Sequence, residues 1–320
     1  MSIKKVIFDT DPGIDDAMAL LYLAMSPDIE LLGITTVLGN ADVETTTRNA
    51  VFLKERFGLV APIAKGADVP LSGETEEPPY LVHGRNGLGD IPLPDIDEGA
   101  IDERNAAQFI VDTVNENPNE VTIIAVGRMT NLALALRLDP SIARLAKQIV
   151  IMGGAFGLRG HSGNVTPCAE ANIHGDPLAA DEVFAAAWPV VVVGLDVTHE
   201  ALMSRSYLHS ISVTGGANGM LIWDATRLYE EFYRNVVGVD GIFAHDSMAV
   251  AYVLDPSLFK TSAGPIRVVT EGLAQGQTIQ QRARSKSIHP SWQDRPDHLV
   301  CTDVNATEVL KRFFRTVTAH

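Results

Sequence analysis

Apolar positions along the chain follow two alternating periods. Short runs rich in Val and Ile, apolar on both faces, occupy 6–8, 30–37, 120–126, 148–152 and 189–195. They read as buried strands. Between them apolar residues recur at helical spacing, first at Ala17, Leu20, Leu21 and Ala24, then over 43–57, 104–117, 132–138 and 176–187. This alternation predicts an α/β fold, a mostly parallel sheet flanked by helices on both faces. Ligands in such folds bind beyond the C-terminal ends of the strands. No repeat, low-complexity tract or linker interrupts the pattern, so residues 1–320 read as one domain.

Two polar segments read as lids. Residues 72–99 are acidic and proline-rich around His83-Gly84-Arg85-Asn86-Gly87-Leu88-Gly89, and so long a structureless stretch in a compact domain is commonly functional. The second lid, 221–241, is a helical pattern carrying Tyr229 and Tyr233 one turn apart, followed by a Gly-rich turn. Those tyrosines either pack on the core or offer rings to a planar ligand.

Composition narrows the function. With 320 residues, 46% of them hydrophobic, the chain can bury a large core. A formal net charge of −15 disfavours nucleic acid as a partner. The two cysteines, Cys168 and Cys301, are far apart and lack metal-ligand spacing, which suits a reducing cytosol. The first strand follows Met1 too closely for a signal peptide, and no apolar run nears the ~20 residues of a membrane helix. The expectation is a cytoplasmic protein with no membrane partner.

The chemistry concentrates at the end of the first strand, in Asp9-Thr10-Asp11-Pro12-Gly13-Ile14-Asp15-Asp16. Asp9 and Asp11 point the same way from the strand end, and Asp15 and Asp16 fall in the first turn of a helix, where its dipole favours acids. That offsets one charge of the four. Crowded carboxylates raise one another's pKa unless a cation joins them, which points to a hard divalent ion. Other strand ends carry Gly39-Asn40, Val126-Gly127-Arg128-Met129-Thr130-Asn131 and Met152-Gly153-Gly154. A loop expected over 153–175 holds Asn164, Glu170 and Asn172. If extended, it aims Glu170 and Asn172 to one side, a pair suited to vicinal hydroxyls. His245-Asp246 adds an imidazole and a fifth carboxylate before the apolar segment 248–254.

Together these residues resemble the nucleoside hydrolases of the inosine–uridine-preferring type. The likeness spans nearly the whole chain in order and spacing, and the first octet is its most specific part. It implies a Rossmann-like sheet, hydrolysis of the N-glycosidic bond of ribonucleosides to ribose and free base, a tightly held Ca²⁺, and a homodimer or homotetramer. Carried over by position, it implies that Asp11, Asp16, Asp246 and the carbonyl of Val126 hold the calcium, with Asp11 taking a proton from a bound water. Asp15, Asn40, Asn164, Glu170 and Asn172 would grip the ribose hydroxyls, and Met152 would pack on the sugar. His245 would face the leaving base as proton donor or hydrogen-bond partner. His83 would reach in from the first lid, Tyr229 and Tyr233 from the second, and Asp9 would support from behind.

The implied chemistry needs such parts. Cleavage of C1′–N builds positive charge on the sugar and negative charge on the base. Carboxylates and amides stabilise the first, and a group near neutrality protonates the second. Seven or eight oxygen ligands suit Ca²⁺ better than Mg²⁺. Two departures stand out. Ala171 replaces a common aromatic between Glu170 and Asn172, and Gly127-Arg128-Met129-Thr130-Asn131 replaces Gly-Pro-Leu-Thr-Asn. Neither is expected to abolish activity, since only the carbonyl of Val126 is asked of the second segment; base preference stays open.

Two other readings compete with this one. A Mg²⁺-dependent phosphatase of the haloacid-dehalogenase type would use Asp9 as nucleophile, with Asp176 and Asp181 as a second acidic motif. It leaves Asp15, Asp16 and Asn40 idle and lacks a hydroxyl residue at Gly13. A non-enzymatic calcium-dependent nucleoside-binding protein would dispense with Asp11 or His245, and both are present.

Overall fold

The computed structural model describes residues 3–94, 101–282 and 289–319. Its strands are β1 (Lys4–Thr10), β2 (Ile29–Thr36), β3 (Ile63–Ala64), β4 (Val121–Ala125), β5 (Gln148–Met152) and β6 (Val190–Val193), then β7 (Leu202–Met203), β8 (Ile242–Phe243), β9 (Phe259–Gly264), β10 (Ile266–Val268), β11 (Thr278–Gln280) and β12 (His298–Val304). Eight of them form one sheet in the order β3-β2-β1-β4-β5-β6-β12-β9. Neighbours run parallel except β9, which runs antiparallel to β12.

Alternation along each strand builds two cores. Val6 and Phe8 enter one beneath helices Ile14–Ala24, Val43–Arg56, Gly216–Phe232, His245–Leu254 and Ala306–Val317. Ile7, between them, enters the other beneath Ala106–Glu116, Thr130–Leu138 and Pro177–Val183. Both sheet faces are therefore covered, which is why the strands read as unbroken apolar runs.

Strand order reverses at β1: the chain goes to β2 and β3 on one side, and to β4, β5 and β6 on the other. Asp9 of β1 lies opposite Ala125 of β4, so the acidic octet emerges at this reversal, where a crevice opens in doubly wound sheets.

Several segments differ from expectation. The loop over 153–175 ends in a short helix, Ala171–Gly175, capped by Glu170. The helix expected over 176–187 stops at Val183, because the indole of Trp188 turns back and donates to the Val183 carbonyl at 2.9 Å. The first lid contains the helix Tyr80–His83; its residues 95–99 lie outside the described residues. The second continues helix Gly216–Phe232 into a π-helical turn, Tyr233–Val237, ended by Gly238 at φ 78°. No described helix is long and apolar enough to cross a membrane.

Candidate active site

Beyond the ends of β1, β2, β4 and β5 lies a cavity of about 700 Å³. Asp11, Asp15 and Asn40 line it from the octet side, and Val126 and Met152 from the next strand ends. Asn164, Glu170 and Asn172 close one wall, His83, Tyr229 and Tyr233 another, with His245 and Asp246 between. The structure thus brings together thirteen residues that are separate in the chain. Asp16 lies just beneath, 1% exposed.

Each carboxylate of the octet has a distinct local tie. Asp9 is fully buried; its Oδ1 accepts from Thr35 Oγ1 and, at 2.8 Å, from Asn131 Nδ2. It is a brace behind the cavity wall, and its burial removes the nucleophile that a phosphatase reading requires. Asp176 and Asp181 go the same way: Asp176 caps a helix and accepts from Thr130 Oγ1, while Asp181 pairs with Arg267 and Arg295. Asp16 folds back on the turn, accepting from Thr10 Oγ1, Gly13 N at 2.9 Å and Asn40 Nδ2 at 2.9 Å. Asp11 Oδ2 accepts from Asn40 N at 2.9 Å. A Cβ at Gly39 would sit 1.8 Å from that oxygen, and one at Gly127 2.8 Å from Oδ1, so both glycines are set by the Asp11 carboxylate.

Asp11 Oδ1 and Asp15 Oδ1 are buried without any hydrogen-bond partner. Asp15, Asp16 and Asp246 bring one carboxylate oxygen each within 4.8 Å of one another. The tightest acidic cluster therefore includes Asp15, where the resemblance implied Asp11 as ligand. Burial alone raises Asp9 to about 7, against the hydrogen bonds from Thr35 and Asn131; for the others burial and then neighbouring carboxylates act together, raising Asp15 to about 8 and Asp11 and Asp246 well above the usual range. Such crowding fits a hard cation. The Val126 carbonyl faces the same space, where it accepts from Asn172 Nδ2 at 2.7 Å.

On the opposite wall, the segment from Glu170 to Asn172 is not extended as a whole: Glu170 is, but Ala171 and Asn172 already belong to the short helix. The Glu170 carboxylate caps that helix, accepting from Gly154 N at 2.9 Å, Asn172 N at 2.9 Å and Ile173 N at 3.1 Å. The side chain of Asn172 instead bridges the carbonyls of Val126 and Met152, at 2.7 and 3.1 Å. Asn164 Oδ1 accepts from Ala171 N at 3.0 Å, which fixes the loop, and Asn164 lines the cavity.

The ring wall is a hydrogen-bonded chain. Tyr229 Oη lies 3.3 Å from Tyr233 Oη, and Tyr233 Oη lies 2.7 Å from His245 Nε2. His245 Nδ1 is 2.8 Å from Thr198 Oγ1. Burial, with His199 and His83 nearby, holds His245 well below the usual imidazole range. The ring of His83 stacks at 5.4 Å from Tyr229 and accepts from Ile14 N at 3.3 Å; burial lowers it to about 3. Thr198 escaped the sequence reading, as did His161 and His199, which line the cavity, since no local pattern marks them; Arg128, also in the lining, was read only as a departure from the family's segment, with no role of its own.

Comparison with known proteins agrees with this geometry. A family model described as inosine-uridine preferring nucleoside hydrolase matches residues 6–311. The chain is 43% identical to uridine nucleosidase 1 of Arabidopsis thaliana over 277 residues, covering 86% of this chain and 81% of that protein. Among solved structures, a plant nucleoside hydrolase, PpNRh1, superposes with a TM-score of 0.94 at 36% identity, covering 99% of each chain. A purine-preferring ribonucleoside hydrolase from Gardnerella vaginalis gives 0.90 at 32%, covering 98% of each. With the family motif residues gathered around one cavity, the chain belongs to the inosine-uridine preferring nucleoside hydrolases.

Proposed function

We propose that this chain hydrolyses ribonucleosides to ribose and free base, with a calcium ion resident at the acidic cluster. The observation that carries the reading is the pair of unpartnered buried oxygens, Asp11 Oδ1 and Asp15 Oδ1, in a cavity already crowded with carboxylates. Asp11, Asp16, Asp246 and the Val126 carbonyl would hold the ion, with Asp15 beside it. When bound, calcium supplies acidification of a water and a seat for two sugar hydroxyls.

The chain's own residues do the rest. Asp11 Oδ1 is free to take a proton from the water attacking C1′. Asp15, Asn40 and the Asn164 amide orient the ribose hydroxyls, and Met152 packs beneath the sugar. The surrounding carboxylates, fixed before the substrate arrives, stabilise the positive charge that grows on the ring. The tyrosine–histidine chain faces the base, where negative charge develops, and can donate a proton there through the Tyr233 hydroxyl. Assembly as a homodimer or homotetramer in the cytosol belongs to the same proposal.

A panel of purine and pyrimidine ribonucleosides, scored for free ribose with and without calcium, tests it. Turnover of ribonucleosides far above their 2′-deoxy counterparts supports the reading, because the missing hydroxyl leaves Asp15 and an ion position unpaired. Equal turnover of uridine and deoxyuridine contradicts it, and release of phosphate from a monoester with no action on nucleosides removes it.

A further inference from the structure

Thr198 is fully buried at the end of the short helix Leu195–Thr198, just after β6. Among the described residues its side chain makes one hydrogen bond, with His245 Nδ1 at 2.8 Å. Asp196 anchors the same helix, its buried carboxylate accepting from Phe156 N at 2.9 Å and from Leu158 N. His245 is held as firmly. The ring centroids of His199 and Phe243 lie 5.4 and 5.9 Å from its own, and Tyr233 Oη closes on Nε2 at 2.7 Å. A hydroxyl has one hydrogen to give, and a neutral imidazole has one nitrogen that donates and one that accepts. A buried O–H without an acceptor is costly. The Thr198 hydrogen has one acceptor, His245 Nδ1, so Nδ1 must be the bare nitrogen. The ring proton then sits on Nε2. The reverse tautomer, like the imidazolium, presents N–H to Thr198 and strands the hydroxyl hydrogen.

Resting on the ribonucleoside reading, we propose that Thr198 is a positioning residue whose hydroxyl fixes the proton of His245 on Nε2 and so frees the Tyr233 hydroxyl to donate to the leaving base. The direction of each bond in the chain follows from its buried end. Thr198 O–H gives to Nδ1, and Nε2–H gives to Tyr233 Oη. The Tyr233 hydrogen is left for Tyr229 Oη at 3.3 Å, or for a ligand in the cavity that both tyrosines line. In the other tautomer Tyr233 O–H would be spent on Nε2. The wall would then show the base an acceptor, where the negative charge growing on the base calls for a donor. Nε2–H also makes Tyr233 the stronger donor, since hydrogen bonds in a chain polarise one another. No proton changes atoms in this arrangement; Thr198 sets which atom holds it before the substrate arrives.

Nitrogen NMR of the full-length protein, labelled with ¹⁵N-histidine and kept in calcium, reads the tautomer directly. Protonated and bare ring nitrogens resonate far apart, and Nε2 is recognised by its coupling to both carbon-bound ring protons. The signals of His245 are those lost in His245→Ala. Wild type should show a bare Nδ1 and a protonated Nε2, and Thr198→Ser, which keeps the hydroxyl, should match it in spectrum and in turnover. Thr198→Val keeps the shape and removes the donor. It should move the Nδ1 signal and lose about 10-fold in kcat/KM on ribonucleosides, the worth of one hydrogen bond. A nitrophenyl riboside, whose leaving group needs no donor, should be nearly unaffected. Each variant is checked for an unchanged melting temperature, and the wild-type spectrum decides the tautomer if Thr198→Val does not fold. A protonated Nδ1 in the wild type overturns the proposal. So do equal losses on both substrates in Thr198→Val, or no loss on either. A wild type that cleaves no ribonucleoside refutes the underlying reading instead, and the spectrum still judges the tautomer.

Discussion

Tyr233 places its hydroxyl 2.7 Å from Nε2 of His245, whose other ring nitrogen lies 2.8 Å from Thr198 Oγ1. Both nitrogens are thus engaged, and burial keeps the ring neutral. In the proposed mechanism the imidazole would work through the tyrosine, either orienting its hydroxyl or replenishing its proton. Tyr233→Phe and His245→Ala should therefore fail in the same manner. Each should lose ~10²–10⁴-fold in kcat/KM on nucleosides whose base needs a proton and much less on a nitrophenyl riboside, whose leaving group does not. Parallel losses on both substrates would make the pair structural.

Asp11→Asn should behave differently. It removes the free Oδ1 beside the cluster while preserving the Asn40 contact on the other atom. Rates on every substrate, activated or not, should fall together by at least ~10²-fold. A variant that slows only natural nucleosides would show that Asp11 is not the base.

Glu230 anchors the lid helix that carries both tyrosines. Its carboxylate is 2% exposed and pairs with Arg205, Arg227 and Arg234, while Arg227 stacks 3.5 Å over Trp223. Glu230→Ala strands three arginines around one hole. We expect a loss of about 3 kcal/mol, the lower end for breaking a buried ion pair because the arginines keep some solvent. Denaturant unfolding measures it, and a loss below ~1 kcal/mol would show that the arginines find water instead.

His199 gives a pH dependence with a definite sign. Burial, with His161 adjacent, lowers it to about 4, Glu200 opposing; Phe243 and His245 pack against its ring. Its folded pKa lies below its unfolded one, near 6.5. Between those values the unfolded chain binds the extra proton, so the group's contribution is whole above pH ~6.5 and lost as pH falls through about 4. His199→Phe should flatten the fall of melting temperature across that window relative to wild type. An unchanged slope would place the titration elsewhere.

How far this site was legible depended on sequence separation. Asp9 through Asp16 are contiguous, so strand, turn and helix start could be read from one octet, and β1, β4, β5 and β6 betrayed themselves by apolar runs. Glu170 misled because its carboxylate satisfies two backbone N–H groups of a helix too short to show a period, and a third at Gly154, which is distant in the chain. The contact between Tyr233 and His245, or Arg128 and Gly175, joins residues with no shared local pattern. The last strand, β12, wedges between β6 and β9, an order that spacing along the chain does not encode. Helix Ala306–Val317 was missed although Val309, Phe313 and Val317, all buried, repeat every four residues.

The proposed cation would join Asp11 and Asp16, near the start of the chain, to Asp246. Such an ion would stabilise only the folded chain, by roughly 4 kcal/mol when free calcium is a thousandfold above its Kd. The decisive measurement is one chelator titration followed by melting temperature and ribose release together, with elemental analysis of the starting protein. Both signals should fall in step, calcium should restore both, and Mg²⁺ should restore them poorly because it is too small for a seven- or eight-oxygen shell. Full activity in exhaustively chelated protein shown to contain no metal would contradict the account.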